Sequence, residues 1–147
     1  MKIKNALIHD IQELRKILAT FHDEKFSPTL AIAMINENLA TEEILDELRG
    51  NNIDLIAGSA DSLIHGDLIT DQGMTLFFIE IDPSLYRINA FHLMNDSYQL
   101  GTDIGLWINR CFQNPINIIF ISSTSISGDS LLKGFQDKAG NQTKLYG

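Results

Sequence analysis

The stretch from His92 to Gly105, HLMNDSYQLGTDIG, passes from apolar residues through a polar bend into small residues before a helical pattern begins. That succession limits the architecture more than any other part of the chain. A strand ending in such a loop and opening a helix leaves first-turn N–H groups without helical partners. The helix dipole adds partial positive charge at the same end. A phosphate is the natural guest of that arrangement. The remaining C-terminal residues keep the plan: a helix over residues 103–113 with Ile104, Trp107, Ile108, Cys111 and Phe112 on one stripe, then an apolar strand Ile116–Ile121. A short helix over Asp129–Lys133 leads to Gly134-Phe135, and a last strand falls near Gln142–Tyr146.

In the first half of the chain, Ile3–Ile8 suits an opening strand, and Asp10 with Glu13 makes a capping start for a helix carrying Ile11, Leu14, Leu18 and Phe21. That helix ends ahead of Ser27-Pro28. Leu30–Leu39 reads as a second helix. Thr41 caps a third, with Glu42 and Glu43 in its first turn, Ile44, Leu45 and Leu48 on its apolar face and Gly50 as its stop. Strands are expected over Ile53–Ser59 and Leu63–Thr70, joined by a hairpin at Ala60-Asp61-Ser62, and then over Met74–Ile81 and Ile88–Met94. With no repeat and no linker in view, residues 1–147 read as one α/β domain, a mixed and mostly antiparallel central sheet flanked by helices.

A chain of 147 residues that is 44% hydrophobic can build a real core. Its 19 acidic and 11 basic residues give a formal charge of −8, and the basic ones form no stripe that would follow a phosphate backbone. Nucleic acid and anionic membrane are therefore not expected as partners, while a cationic substrate or a basic protein is easier to accommodate. No apolar run approaches the roughly 20 residues that cross a bilayer, and the start lacks the apolar core of a signal peptide. A cytoplasmic location is the expectation. Cys111 stands alone, so it reads as a small buried hydrophobe, and His9, His22, His65 and His92 lack metal-ligand spacing.

The order strand, loop, helix, strand, helix, Gly-Phe resembles the C-terminal half of the GNAT superfamily of N-acetyltransferases. The opening MKIKNALIHDIQELRKILATFHDE is similar to the family's usual start. Leu63-Ile64-His65-Gly66 resembles the strand after its hairpin. Met94-Asn95-Asp96-Ser97-Tyr98-Gln99 resembles the segment ahead of its phosphate-binding glycines. The resemblance implies acetyl-CoA as co-substrate, held by the backbone of Gln99, Leu100, Gly101, Thr102, Asp103, Ile104 and Gly105, with Leu93 and Met94 supplying the N–H for the thioester carbonyl. It also implies acetyl transfer to a primary amine of a small molecule or protein, and a homodimer. The chain departs from the family's Gln/Arg-x-x-Gly-x-Gly/Ala. Counted from Leu100, Asp103 takes the central glycine position; counted from Gln99, Gly101 is displaced by one residue. An aspartate pointing into the site would repel a pyrophosphate, whereas Thr102 or Asp103 can instead cap the helix.

Acyl transfer needs a base, donors for the oxyanion and an acid for the departing thiolate. His92, on the strand lining the acyl site, is the candidate base because an imidazole titrates near neutrality. Glu80, with Asp82 nearby, is placed to bind a cationic amine or act through water. The family's tyrosine before Gly-Phe is replaced by Ser130, which leaves Tyr98 and Tyr146 as the phenols available. The rival reading, from a different class, is a GNAT-like scaffold without catalysis, an acidic module that binds a basic protein.

Overall fold

Ala6 and Ile8 stand opposite Leu76 and Met74 across an antiparallel ladder, and the N-terminal sheet is built outward from that apolar pairing. The structure, a computed structural model, describes residues 1–36, 41–92, 96–113, 115–121, 125–140 and 144–146. Two units divide the chain, Met1–Tyr86 and Arg87–Gly147. The protein is mixed α/β, as expected, with antiparallel strand pairings outnumbering parallel ones.

The first unit runs β1 (Lys2–Ile8), α1 (Ile11–Asp23), β2 (Leu30–Ile35), α2 (Thr41–Gly50), β3 (Asp54–Ser59), β4 (Leu63–His65), β5 (Leu68–Thr70) and β6 (Met74–Glu80). Four of the strands form one sheet in the order β1-β6-β2-β3, in which β2 and β3 are parallel and every other pairing is antiparallel. Parallel neighbours need a crossover, and α2 supplies it. Asp10 caps α1: its side chain accepts from the Glu13 N–H at 2.9 Å, and Glu13 accepts in return from the His9 N–H at 2.8 Å. Register puts Ala6, Ile8, Ala31, Ala33, Met74, Leu76 and Phe78 on one face, all buried, under Leu14 and Phe21 of α1 and Ile44 and Leu48 of α2. Phe21 sits edge-on between Phe26 at 4.8 Å and Phe78 at 4.9 Å. Fully burying each such side chain stabilises the fold by about 1.5–3 kcal/mol.

Leu30–Leu39 was expected as a helix; its described part is β2. The run LAIAMI is apolar at every position, and periodicity alone does not separate such a strand from a buried helix. The expected single strand Leu63–Thr70 is two short strands that turn back at Gly66-Asp67, where Gly66 has φ +59°. A two-residue turn opening on a positive-φ glycine matches the twist of a hairpin. Ala60-Asp61-Ser62 is therefore not the hairpin turn, and β3 pairs with β2 rather than with β4. The strand expected over Ile88–Met94 is absent from its described part, residues 88–92. The Asn89 side chain accepts from the Ala90 N–H at 3.0 Å, a local bond that competes with a ladder. The capping expected of the Thr41 side chain falls outside the described residues.

The second unit runs α3 (Ser97–Cys111), β7 (Ile116–Ile118), α4 (Gly128–Ala139) and β8 (Lys144–Tyr146). β7 and β8 are parallel, with α4 as the crossover. Leu100, Ile104 and Ile108 of α3 form its core with Leu131 and Phe135 of α4. No described helix is long and apolar enough to cross a membrane.

Candidate functional site

The helix expected over residues 103–113 begins six residues earlier. Asp96 is its cap, accepting from the Gln99 N–H at 2.7 Å, and the Leu100 N–H bonds to the Asp96 carbonyl at 3.1 Å. Tyr98 through Gly105 thus lie inside α3, where amides past the first turn donate along the helix axis. Neither Thr102 nor Asp103 caps α3; Asp103 accepts from the Gln99 amide at 2.8 Å, one turn earlier on the same helix. The proposed cradle of Gln99, Leu100, Gly101, Thr102, Asp103, Ile104 and Gly105 is a stretch of helix, with Leu100 and Ile104 buried in the core. The first-turn N–H that an anion would take from Gln99 is held by the Asp96 carboxylate. Leu93 and Met94 lie outside the described residues.

The glycines of that stretch have a different task. A Cβ on Gly101 would stand 2.0 Å from the Leu131 carbonyl oxygen, and one on Gly134 would stand 2.0 Å from the Tyr98 carbonyl oxygen. Gly105 faces the Phe135 carbonyl at 2.9 Å in the same sense. Gly101-x-x-x-Gly105 and Gly134 therefore let α3 and α4 touch backbone to backbone. The helices run the same way, since Gly101 meets Leu131, Gly105 meets Phe135 and the Asn109 amide donates to the Lys138 carbonyl at 2.6 Å. Their N-termini are tied together, with the Ser127 N–H donating to Ser97 Oγ at 2.9 Å. Two parallel dipoles repel, and Asp96 and Asp129 place negative charge where both are positive. Gly134-Phe135 lies within α4 and does not close it; the helix continues to Ala139.

The candidate acid–base residues are divided between the two units. Tyr98 donates its hydroxyl to Asp137 at 2.7 Å, and that carboxylate raises the phenol's pKa above its ordinary value, further from use as an acid at neutral pH. His92 is exposed and lies outside any strand. Glu80 belongs to the first unit, where it pairs with Lys2 at 3.4 Å. Asp82 accepts from the Ser84 N–H at 2.9 Å, a bond that lowers its pKa. Tyr146 is exposed on β8. No group of three or more His, Cys, Asp or Glu is placed to hold a metal ion among the described residues.

Charge is distributed unevenly between the two units. Met1–Tyr86 holds fifteen acidic and six basic residues, a balance of −9, whereas Arg87–Gly147 holds four and five, a balance of +1. From Gly50 to Tyr86 there is no lysine or arginine, against six acidic residues. On the outer side of α1 and α2 an open groove of about 440 Å³ is lined by Arg15, Glu43, Asp46 and Glu47, with Arg15 Nε held by Glu47 at 2.7 Å.

Sequence reasoning missed the hairpin of β4 and β5. Ile64 and Ile69 stand directly opposite each other there, 67% and 72% exposed, and Leu68 beside the turn is 52% exposed. Leu63, on the alternate face, is buried. The available signal was Gly66-Asp67 between two apolar triplets, inside the segment without basic residues.

Comparison of the chain with protein-family models, with curated proteins and with solved structures found no match in any of the three.

Proposed function

We propose that this chain is an acidic binding module that holds a basic protein partner and carries out no acyl transfer. The reading rests on the segregation of charge, nine net negative charges on the first unit against one net positive on the second. A surface of one sign raises the local concentration of partners of the other sign and speeds their encounter. Further support comes from the helix of residues 97–111. The glycines expected to admit a pyrophosphate admit a neighbouring helix instead, and the candidate phenol is tied to a carboxylate. A cytoplasmic setting belongs to the same proposal.

Two titrations test it. Acetyl-CoA at about 100 times the Kd of a bound cofactor would add about 2.7 kcal/mol of stability. The expected result is an unchanged melting temperature, and a clear rise would restore the acetyltransferase reading. A lysine-rich peptide of roughly 20 residues is expected to bind at low salt and to weaken as the Debye length shrinks to about 10 Å near 0.1 M, while a glutamate-rich one does not bind. Failure of the lysine peptide to bind at low salt would overturn the proposal.

A further inference from the structure

Resting on the binding-module reading, we infer that the β4–β5 hairpin is the docking surface, and that its occupant is a cationic amphipathic segment of another protein. Ile64 and Ile69 form a directly opposed pair on the outer face of a two-stranded ribbon, where side chains stand close enough to act as one apolar platform. Leu68, paired with His65, stands on the other face of the ribbon beside the turn. Single exposed apolar residues are ordinary, but two directly opposed on one uncovered hairpin face stand together as a patch of the kind that marks interaction sites.

The rim identifies the guest. Asp67 lies in the turn, while Asp61 and Asp71 flank the other end of the ribbon, all three exposed. None of the three is in an ion pair among the described residues. Acidic groups thus stand at both ends of an apolar centre, in a segment that contributes no lysine or arginine. A segment with leucine-like residues on one face and lysines or arginines beside them satisfies both parts. A second copy of this chain would match the isoleucines but set aspartates against aspartates, and like charges across an interface suppress a pairing.

The test uses the full chain, labelled for amide spectroscopy. The probe is a synthetic peptide of roughly 18 residues, five helical turns, with leucines on one face and lysines on the other. A scrambled peptide of the same composition serves as control. Shift changes are expected to centre on residues 61–71, and the faced peptide is expected to bind more tightly than the scrambled one. Ile64→Asn together with Ile69→Asn should weaken binding by about tenfold or more. Both positions are exposed, so the melting temperature should hold, and it is measured alongside. Asp61→Asn, Asp67→Asn and Asp71→Asn together should flatten the salt dependence. Binding that maps to α2, or that is untouched by the isoleucine substitutions, overturns the hairpin proposal and leaves the module reading standing. No binding of either lysine-bearing peptide at low salt overturns the module reading itself. Self-association of the chain that the isoleucine substitutions abolish makes the occupant a second copy and overturns the inference.

Discussion

Gly101 rests against the Leu131 carbonyl so closely that a methyl group on it would stand 2.0 Å from the oxygen. Gly101→Ala gains about 1 kcal/mol of helix propensity and still loses overall, because backbone is the obstacle and the helices must separate. The expected net destabilisation is about 1–3 kcal/mol. Gly50→Ala, at the end of α2 with open space around it, should cost far less. Chemical denaturation of the two variants makes the comparison, and equal stability would remove the close-contact account.

Asp96→Ala removes the bond to the Gln99 N–H and a negative charge at the start of α3. A loss of about 1 kcal/mol is expected, with Asp96→Asn retaining most of the stability because asparagine caps nearly as well. Amide exchange in the first turn of α3 reads the difference residue by residue.

Tyr86 donates to both the Thr29 carbonyl, at 2.9 Å, and Asp54 Oδ2, at 2.8 Å, joining the chain after β6 to the starts of β2 and β3. Burial first, then the Asp54 carboxylate, push its pKa up to about 12 from an ordinary 10. The fold therefore favours the protonated phenol. Its contribution is complete below pH 10 and drains away as pH climbs through about 12. Tyr86→Phe should cost about 1 kcal/mol at neutral pH and lose that part of the alkaline decline. An alkaline unfolding curve unaltered by the substitution would exclude Tyr86 as its source.

Phe78 is fully buried against Phe21, whereas its neighbour Phe77 points to the opposite sheet face and is 39% exposed. Phe78→Ala should destabilise by about 3–5 kcal/mol. Phe77→Ala should cost well under half of that, and matched urea titrations decide it.

The parts of this architecture that were legible beforehand are those with a local signal. Asp10 and Glu13 announced α1, the polar-faced run after Thr41 announced α2, and the turn residues Asp71-Gln72-Gly73 before and Asp82-Pro83 after announced β6. Leu30–Ile35 was unreadable because six apolar residues in a row carry no polar position that would separate a strand period from a helical one. Gly101 and Gly105 misled for a related reason. Glycine is unfavourable inside an isolated helix, so it reads as loop, and only the neighbouring helix explains it. The acidic balance was plain in the composition, but its confinement to Met1–Tyr86 appears only once the chain is divided.

The strand order β1-β6-β2-β3 has a consequence for how the first unit is made. β6 is the last of these strands to leave a ribosome, yet it lies between the first and the second. At roughly 5–20 residues per second, β1 waits several seconds for its only neighbour. Until then the parallel β2–β3 pair holds an open edge. Nascent chains halted shortly before Met74 should accordingly engage chaperones, and those halted well past Tyr86 should release them.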